Sequence, residues 1–434
     1  MELRRRKKCK GLNHESIANF SRILANKDEL IGDNSRVNSG RLGINIIMRI
    51  GIDARSILNP AKGDAIGVGH YTYQLIRHLL EIDSENEYVL FFDFRVREKD
   101  VKKFSRPNVQ IRFYPFSDYK KYLPGAYSEI LGTVTLQKEK LDVLHSTSAL
   151  NRIPMGFSGK TVVTFHDMAA FEIPQYLPAV GRTRDKAVSN LMAAKAVKII
   201  AVSNSVKAEL KKHLKIAQEK VQVVYSGLDG RFFQAPEVSS AKILSKYDIS
   251  KKYILFLGTL EPSKNIAQLL EAFAKFKNLQ KKQNGGRFDF QLVLAGKRGW
   301  MSRTYQQIIK DLGLIKDVIF TGYIIGDELV PLFRGAQFFI MPSFHEGFGM
   351  TVLEAFATQA PAIVSNVASL PELAGEAALL INPLNVSEIT NAMSTLANDP
   401  VLCDELRAKG LEQAKKFDWE KTARQTLEIY KSLK

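Results

Sequence analysis

Cysteine is scarce in this chain: Cys9 and Cys403 are the only two among 434 residues. They lie far apart and match no metal-ligand spacing, which excludes a disulfide scaffold and a zinc module and fits two unpaired thiols in a reducing cytoplasm. Long apolar runs are missing too. The best candidate, Leu191–Val202, is interrupted by Lys195 and Lys198, well short of the roughly 18 apolar residues of a membrane span. The basic cluster Arg4–Lys10 runs into a mixed polar segment instead of the apolar core of a secretory signal. Low-complexity tracts and short repeats are absent.

Acidic residues are outnumbered, 45 Asp and Glu against 62 Lys and Arg, for a net charge of +17. Residues 1–47 hold 10 basic and 5 acidic residues, residues 48–240 hold 28 and 20, and residues 241–434 hold 24 and 20. The excess therefore favours the N-terminal half. Such a basic face attracts phosphates, nucleic acid or anionic lipid, or simply keeps a protein in solution.

What is present is a chain of ordinary globular composition, 45% apolar and 25% charged. Residues 1–47 carry a basic cluster and polar residues without a sustained period, and read as a poorly ordered extension. From Met48 short apolar runs alternate with segments of helical period. The first series is Arg49–Ile52, Tyr88–Phe92, Val109–Phe113, Val143–His145, Thr161–Phe165, Lys198–Val202 and Val221–Tyr225. The second is Tyr253–Leu257, Gln291–Ala295, Val318–Thr321, Gln337–Met341, Ala362–Ser365 and Ala378–Ile381. Continuous apolar runs separated by helices suit parallel strands buried on both faces. The expected fold is α/β, with two Rossmann-like, doubly wound lobes facing each other across a cleft: residues 48–240 and 241–417. A last helical segment, 418–434, is expected to pack back across both.

The richest stretch is Pro342–Phe356. A strand ends at Met341, a turn with Gly347, Phe348, Gly349 and Met350 follows, and a helix is expected from near Thr351. Backbone N–H groups and the positive end of a helix dipole then point at one spot, which suits a phosphate. Glu346 on the turn can accept hydrogen bonds from sugar hydroxyls, and Glu354 in the helix can grip a ribose diol. Bland alternatives exist: Thr351 and Glu354 have the spacing of a capping box, and Glu346 can simply face water. Lys264, in Gly258–Asn265, is by itself an ordinary lysine, and His166, at a strand end, by itself a structural histidine. Gly67-Val68-Gly69 lacks the third glycine of a dinucleotide fingerprint and the Lys-Ser/Thr ending of a P-loop.

The run Pro342–Glu354, followed by Ser365–Glu372, closely resembles the retaining glycosyltransferases of family 4, of GT-B architecture, whose signature is two glutamates with seven residues between them, here Glu346 and Glu354. The resemblance spans Met48–Lys434. It implies that Thr259 and Lys264 lie in the loop that binds the donor diphosphate, where Ser263 stands at a position many relatives fill with arginine. Lys297 and Arg298 are expected to help compensate. Tyr323 and Ile324 match the loop whose backbone recognises the base, Gly67 and Gly69 a glycine loop near phosphates and acceptor, and His166 the cleft histidine that contacts the donor sugar. Relatives usually carry Cys-Gly within the stretch that here reads Ala357–Pro361.

No Asp-x-Asp occurs anywhere, so the metal signature of the other major glycosyltransferase architecture is missing. The expectation is a metal-independent, retaining hexosyltransferase without a cofactor, its leaving diphosphate stabilised by Lys264 and the turn amides of Gly349–Thr351. The segments around Gly258–Pro262, Gly296–Trp300 and Phe417–Lys421 most resemble bacterial surface-polysaccharide mannosyltransferases and some rhamnosyltransferases, which favours GDP-mannose as donor. The expected acceptor is a glycan or lipid-linked glycan, and the expected location cytoplasmic, with peripheral contact between Arg182–Lys215 and an anionic inner membrane face. Two rivals are weighed: a nucleotide-sugar epimerase on the same architecture, and a non-catalytic basic protein binding nucleic acid. The second lacks aromatic–basic interleaving or a known module, so nucleic acid is not an expected partner.

Overall fold

The computed structural model describes residues 47–58, 67–114, 125–236, 238–297, 299, 302–324 and 326–434. The extension expected over 1–47, but for its last residue, lies outside them, as does Arg298. Among the described residues thirteen strands form, each within about two residues of an apolar run in the sequence. In the first lobe they are β1 (Arg49–Asp53), β2 (Glu87–Asp93), β3 (Val109–Tyr114), β4 (Val143–Ser146), β5 (Lys160–Phe165), β6 (Lys198–Ala201) and β7 (Val221–Val223). In the second they are β8 (Lys252–Leu257), β9 (Phe290–Ala295), β10 (Val318–Gly322), β11 (Phe338–Met341), β12 (Ala362–Ser365) and β13 (Ala378–Ile381).

Every pairing is parallel. The orders are β3-β2-β1-β4-β5-β6-β7 and β10-β9-β8-β11-β12-β13, so each sheet reverses direction once, between β1 and β4 and between β8 and β11. Helices cover both faces, which is why successive residues such as Tyr88, Val89, Leu90, Phe91 and Phe92 are all buried despite pointing alternately up and down. Two doubly wound lobes are what the sequence predicted.

The helices that matter below are α1 (Gly67–Ile82), α2 (Ala179–Lys195), α3 (Asn204–Leu214), α4 (Ile266–Gln283), α5 (Met350–Ala357) and α6 (Trp419–Lys431). The terminal helix α6 buries Trp419, Ala423, Leu427 and Tyr430, one stripe at helical spacing. Thr422 Oγ1 donates to the Tyr225 carbonyl at 2.7 Å, and Tyr430 OH meets His145 Nδ1 at 2.6 Å inside the first lobe. Burial pushes His145 down to about 3, so this contact is between neutral groups. Among the described residues no helix is long and apolar enough to cross a membrane.

Candidate active site

In open parallel sheets, ligands bind beyond the carboxyl ends of the strands, where strand order reverses. In the second lobe that point lies between the loops after β8 and β11. The first loop tightens into a turn over Pro262–Lys264, and the second carries Ser343–Gly349. They are tied together, because Phe344 N–H donates to the Ser263 carbonyl at 2.9 Å. The turn delivers Lys264 Nζ to Glu346 Oε1 at 2.7 Å, and Ser343 Oγ donates to the same oxygen at 2.7 Å. Burial pulls the Lys264 pKa down, but Glu346, Glu261 and Asp167 outweigh it and the net shift is upward. Lys264 is therefore a firmly charged ammonium. The water-facing alternative for Glu346 does not hold: its side chain is 14% exposed and doubly bonded.

The first lobe meets this pair through the end of β5. His166 follows that strand, and its Nε2 lies 2.8 Å from the Thr147 carbonyl. A carbonyl only accepts, so Nε2 carries the proton. Burial holds the ring's pKa down, leaving Nδ1 as an acceptor in a neutral imidazole. Tyr71 packs edge-on at 4.6 Å. Gly347 fits only as glycine, since a Cβ there would stand 1.7 Å from the His166 carbonyl oxygen. The lobes also join through Ser203 Oγ, which donates to the Gly347 carbonyl at 2.8 Å, and through Tyr176 stacked on Phe344 at 4.2 Å. Between them lies a cleft of about 250 Å³ whose walls include His166, Lys264, Glu346, Gly347 and Val68.

The remaining expected residues are not among those that line this cleft, although Gly67 and Gly69 adjoin its Val68. Gly67 and Gly69, read from sequence as a loop, instead form the first turn of α1 with Val68 between them. Gly67 takes φ +66° there, and the buried stripe Tyr71, Leu75, Ile76 and Leu79 outweighs the glycines' poor helix propensity. The loop after β9 meets the loop after β8, with Leu260 N–H donating to the Lys297 carbonyl at 3.0 Å. Lys297 itself is exposed. Thr259 is half-buried and its carbonyl closes a tight turn with Glu261 N–H at 2.9 Å. Tyr323 is half-exposed, whereas the Ile324 side chain is buried.

The helix after the turn starts at Met350, with Gly349 ahead of it at φ +100°. Thr351 is thus already inside the first turn, its hydroxyl 3.9 Å from Met341 Sδ, and the capping-box alternative for Thr351 and Glu354 fails. Phe348 is buried against Tyr225 and Phe417. Burial pushes the Glu354 carboxyl up to about 7; Arg231 partly offsets this and Asp229 adds to it.

Sequence reasoning passed over several groups. His345 Nε2 donates to Glu209 Oε1 at 3.0 Å, bridging from the Glu346 turn to α3 of the other lobe. Arg231, after β7, pairs with Asp229 at 3.6 Å, and its charge acts on Glu354. Asp185 and Ser189 of α2 line the cleft. The position of His345 beside Glu346 was the one local signal; the others come from distant parts of the chain.

Two family models match: Glycosyltransferase Family 4 over residues 66–231 and Glycosyl transferases group 1 over residues 241–417. The chain is 28% identical over 384 residues to O-antigen chain mannosyltransferase B of Escherichia coli, covering 86% of this chain and 98% of that protein. It is 31% identical over 297 residues to the serotype-specific mannosyltransferase WbdA of Escherichia coli, covering 67% of this chain but 36% of that protein. Among solved structures it resembles sucrose-phosphate synthase of Thermosynechococcus elongatus, with TM-score 0.70, 19% identity and coverage of 89% and 99%. It also resembles Alr3699/HepE of Anabaena in complex with UDP and glucose, with TM-score 0.68, 18% identity and coverage of 89% and 100%. At these identities the structural likeness speaks for the fold.

Proposed function

This chain belongs to family 4 of the glycosyltransferases, and on that premise we propose that it moves a mannosyl residue from GDP-mannose to a glycan or lipid-linked glycan acceptor, with retention at the anomeric carbon. The observation that carries this reading is the meeting of Lys264 and Glu346 at the switch point of the second sheet, opposite a neutral His166. Mannose is favoured because the relatives reported above are named mannosyltransferases.

In this reading the donor diphosphate takes Lys264 from Glu346 and lies at the N-terminus of α5, against the amides of Gly349–Thr351. Glu346, released from its lysine, accepts from the sugar hydroxyls, while Glu354 holds the ribose. As the glycosidic bond breaks, charge grows on the leaving diphosphate, where the ammonium and helix-end amides are already placed. With Glu346 given to the sugar hydroxyls and still holding the Ser343 hydroxyl, the family resemblance favours same-face attack with the leaving phosphate as base. Diphosphate neutralisation by these groups needs no divalent ion. The cysteine and charge patterns favour a cytoplasmic enzyme resting peripherally on an anionic membrane face.

Thermal shift against a panel of nucleotide sugars tests the donor. At about 100 times its Kd a ligand adds ~2.7 kcal/mol, so GDP-mannose and GDP should raise Tm by several degrees, equally with and without EDTA. A preference for uridine donors, or a shift that EDTA abolishes, would overturn that part of the reading.

A further inference from the structure

We propose that the cleft selects an uncharged, hydroxyl-rich acceptor over a phosphorylated one, and that Asp185 helps set this choice; the inference rests on the glycosyl-transfer reading above. The chain as a whole is strongly cationic, at +17, yet the cleft is not. The wall supplied by the first lobe contains two carboxylates, Asp167 and Asp185, and no lysine or arginine among the described residues. Across from it stand Glu261 and Glu346, with Lys264 as the one lysine in the lining described. That lysine is held by Glu346, and in the reading above is given over to the donor. His166 is neutral through burial, and His345 is bound to Glu209.

Cations close to this wall are turned to other partners. Arg182 donates to the Pro174 carbonyl at 2.9 Å, Arg184 pairs with Asp185 from an exposed position outside the lining, and Lys186 lies over the ring of Phe171 at 5.2 Å. A surface pair between chain neighbours is weak, so Arg184 leaves much of the Asp185 field in the cleft. The rest of the wall mixes the Ser189 hydroxyl with the apolar faces of Leu150, Phe171 and Leu177. Carboxylates and a hydroxyl accept from sugar hydroxyls, and apolar side chains cover a ring's C–H face. A phosphate ester in the same place would meet like charge at short range with no free cation among the described lining residues, and such juxtapositions are strongly unfavourable.

The test compares methyl α-mannoside with its 6-phosphate on the full chain, by ligand-observed NMR for binding and by kcat/KM with GDP-mannose for transfer. The neutral mannoside should be preferred by about tenfold or more in both. Asp185→Lys should narrow that ratio by about fivefold or more, with Asp185→Asn between the two, and the melting temperature of each variant controls for folding. An equal or better response to the phosphate ester, or a ratio that Asp185→Lys leaves unchanged, overturns the inference. A neutral preference in binding with no transfer from any nucleotide sugar would support the selectivity of the cleft and sink the transfer reading instead.

Discussion

If Glu354 holds the donor ribose as a carboxylate, nucleotide binding must expel a proton. Burial lifts this carboxyl from 4.5 to about 7 in the ligand-free protein, so keeping it ionised there costs on the order of 3 kcal/mol. At pH 7 about half the molecules carry the proton, at pH 6 about nine in ten, and at pH 8.5 almost none. Binding of GDP should therefore release about half a proton at pH 7 through this group alone, and its affinity should fall about fivefold from pH 7 to pH 6. The phosphates of GDP titrate in the same range, so the quantity to read is the difference between wild type and Glu354→Gln. Calorimetry in buffers of unlike ionisation enthalpy gives the proton count for both. The sign for stability follows from the same shift. Between pH 4.5 and 7 the folded state binds more protons than the unfolded state, so this group makes stability fall as pH rises through that window. Glu354→Gln should then stabilise the ligand-free protein at pH 8, by up to about 3 kcal/mol, and have little effect near pH 4. Identical proton release by the two proteins, or a variant that is less stable at pH 8, would refute this account of Glu354.

Two further predictions concern the seam between the lobes. Gly347→Ala places a methyl 1.7 Å from the His166 carbonyl oxygen, so the lobes must part; turnover should drop about tenfold or more and stability by roughly 1–3 kcal/mol, and a variant with wild-type kinetics would show that the contact is dispensable. For His345, burial lowers the pKa, but the hydrogen bond and charge of Glu209, with Asp167 and Glu346 behind it, raise it overall above 6.5. Stability from this pair is fully present below pH 6.5 and lost as pH rises through the raised value, so His345→Gln should cost most near pH 5.5, roughly 3 kcal/mol, and progressively less above pH 7; equal losses at pH 5.5 and 9 in thermal melts would rule out an ionic bridge.

The strands were legible because parallel strands buried on both faces leave unbroken apolar runs such as Tyr88–Phe92, which no solvent-facing alternation obscures. Lys264 and Glu346 could be named from their loops, but their 2.7 Å contact depends on strand order, which places β8 beside β11. Where local reasoning failed, backbone geometry or a distant partner decided. Gly349 at φ +100° starts α5 before Thr351 can cap it. Gly67 and Gly69 looked like loop, yet the apolar stripe behind them draws the helix forward. The bridge from His345 to Glu209 spans 136 positions in sequence, and the placing of Asp185 on the cleft wall depends on how α2 lies across the first sheet; neither leaves a local pattern to find.

The central claim is that sugar leaves a nucleotide donor at the Lys264–Glu346 pair. The most direct measurement incubates the purified chain with GDP-mannose and a mannoside acceptor, following GDP release and product mass, beside Glu346→Gln. The account predicts mannosylated product from the wild type and turnover at least about tenfold lower in the variant, since a charged hydrogen bond to the transferred sugar is worth roughly 1.5–3 kcal/mol, while GDP binding is not weakened. Equal turnover by the two proteins, or a loss that lies wholly in GDP binding, would contradict it.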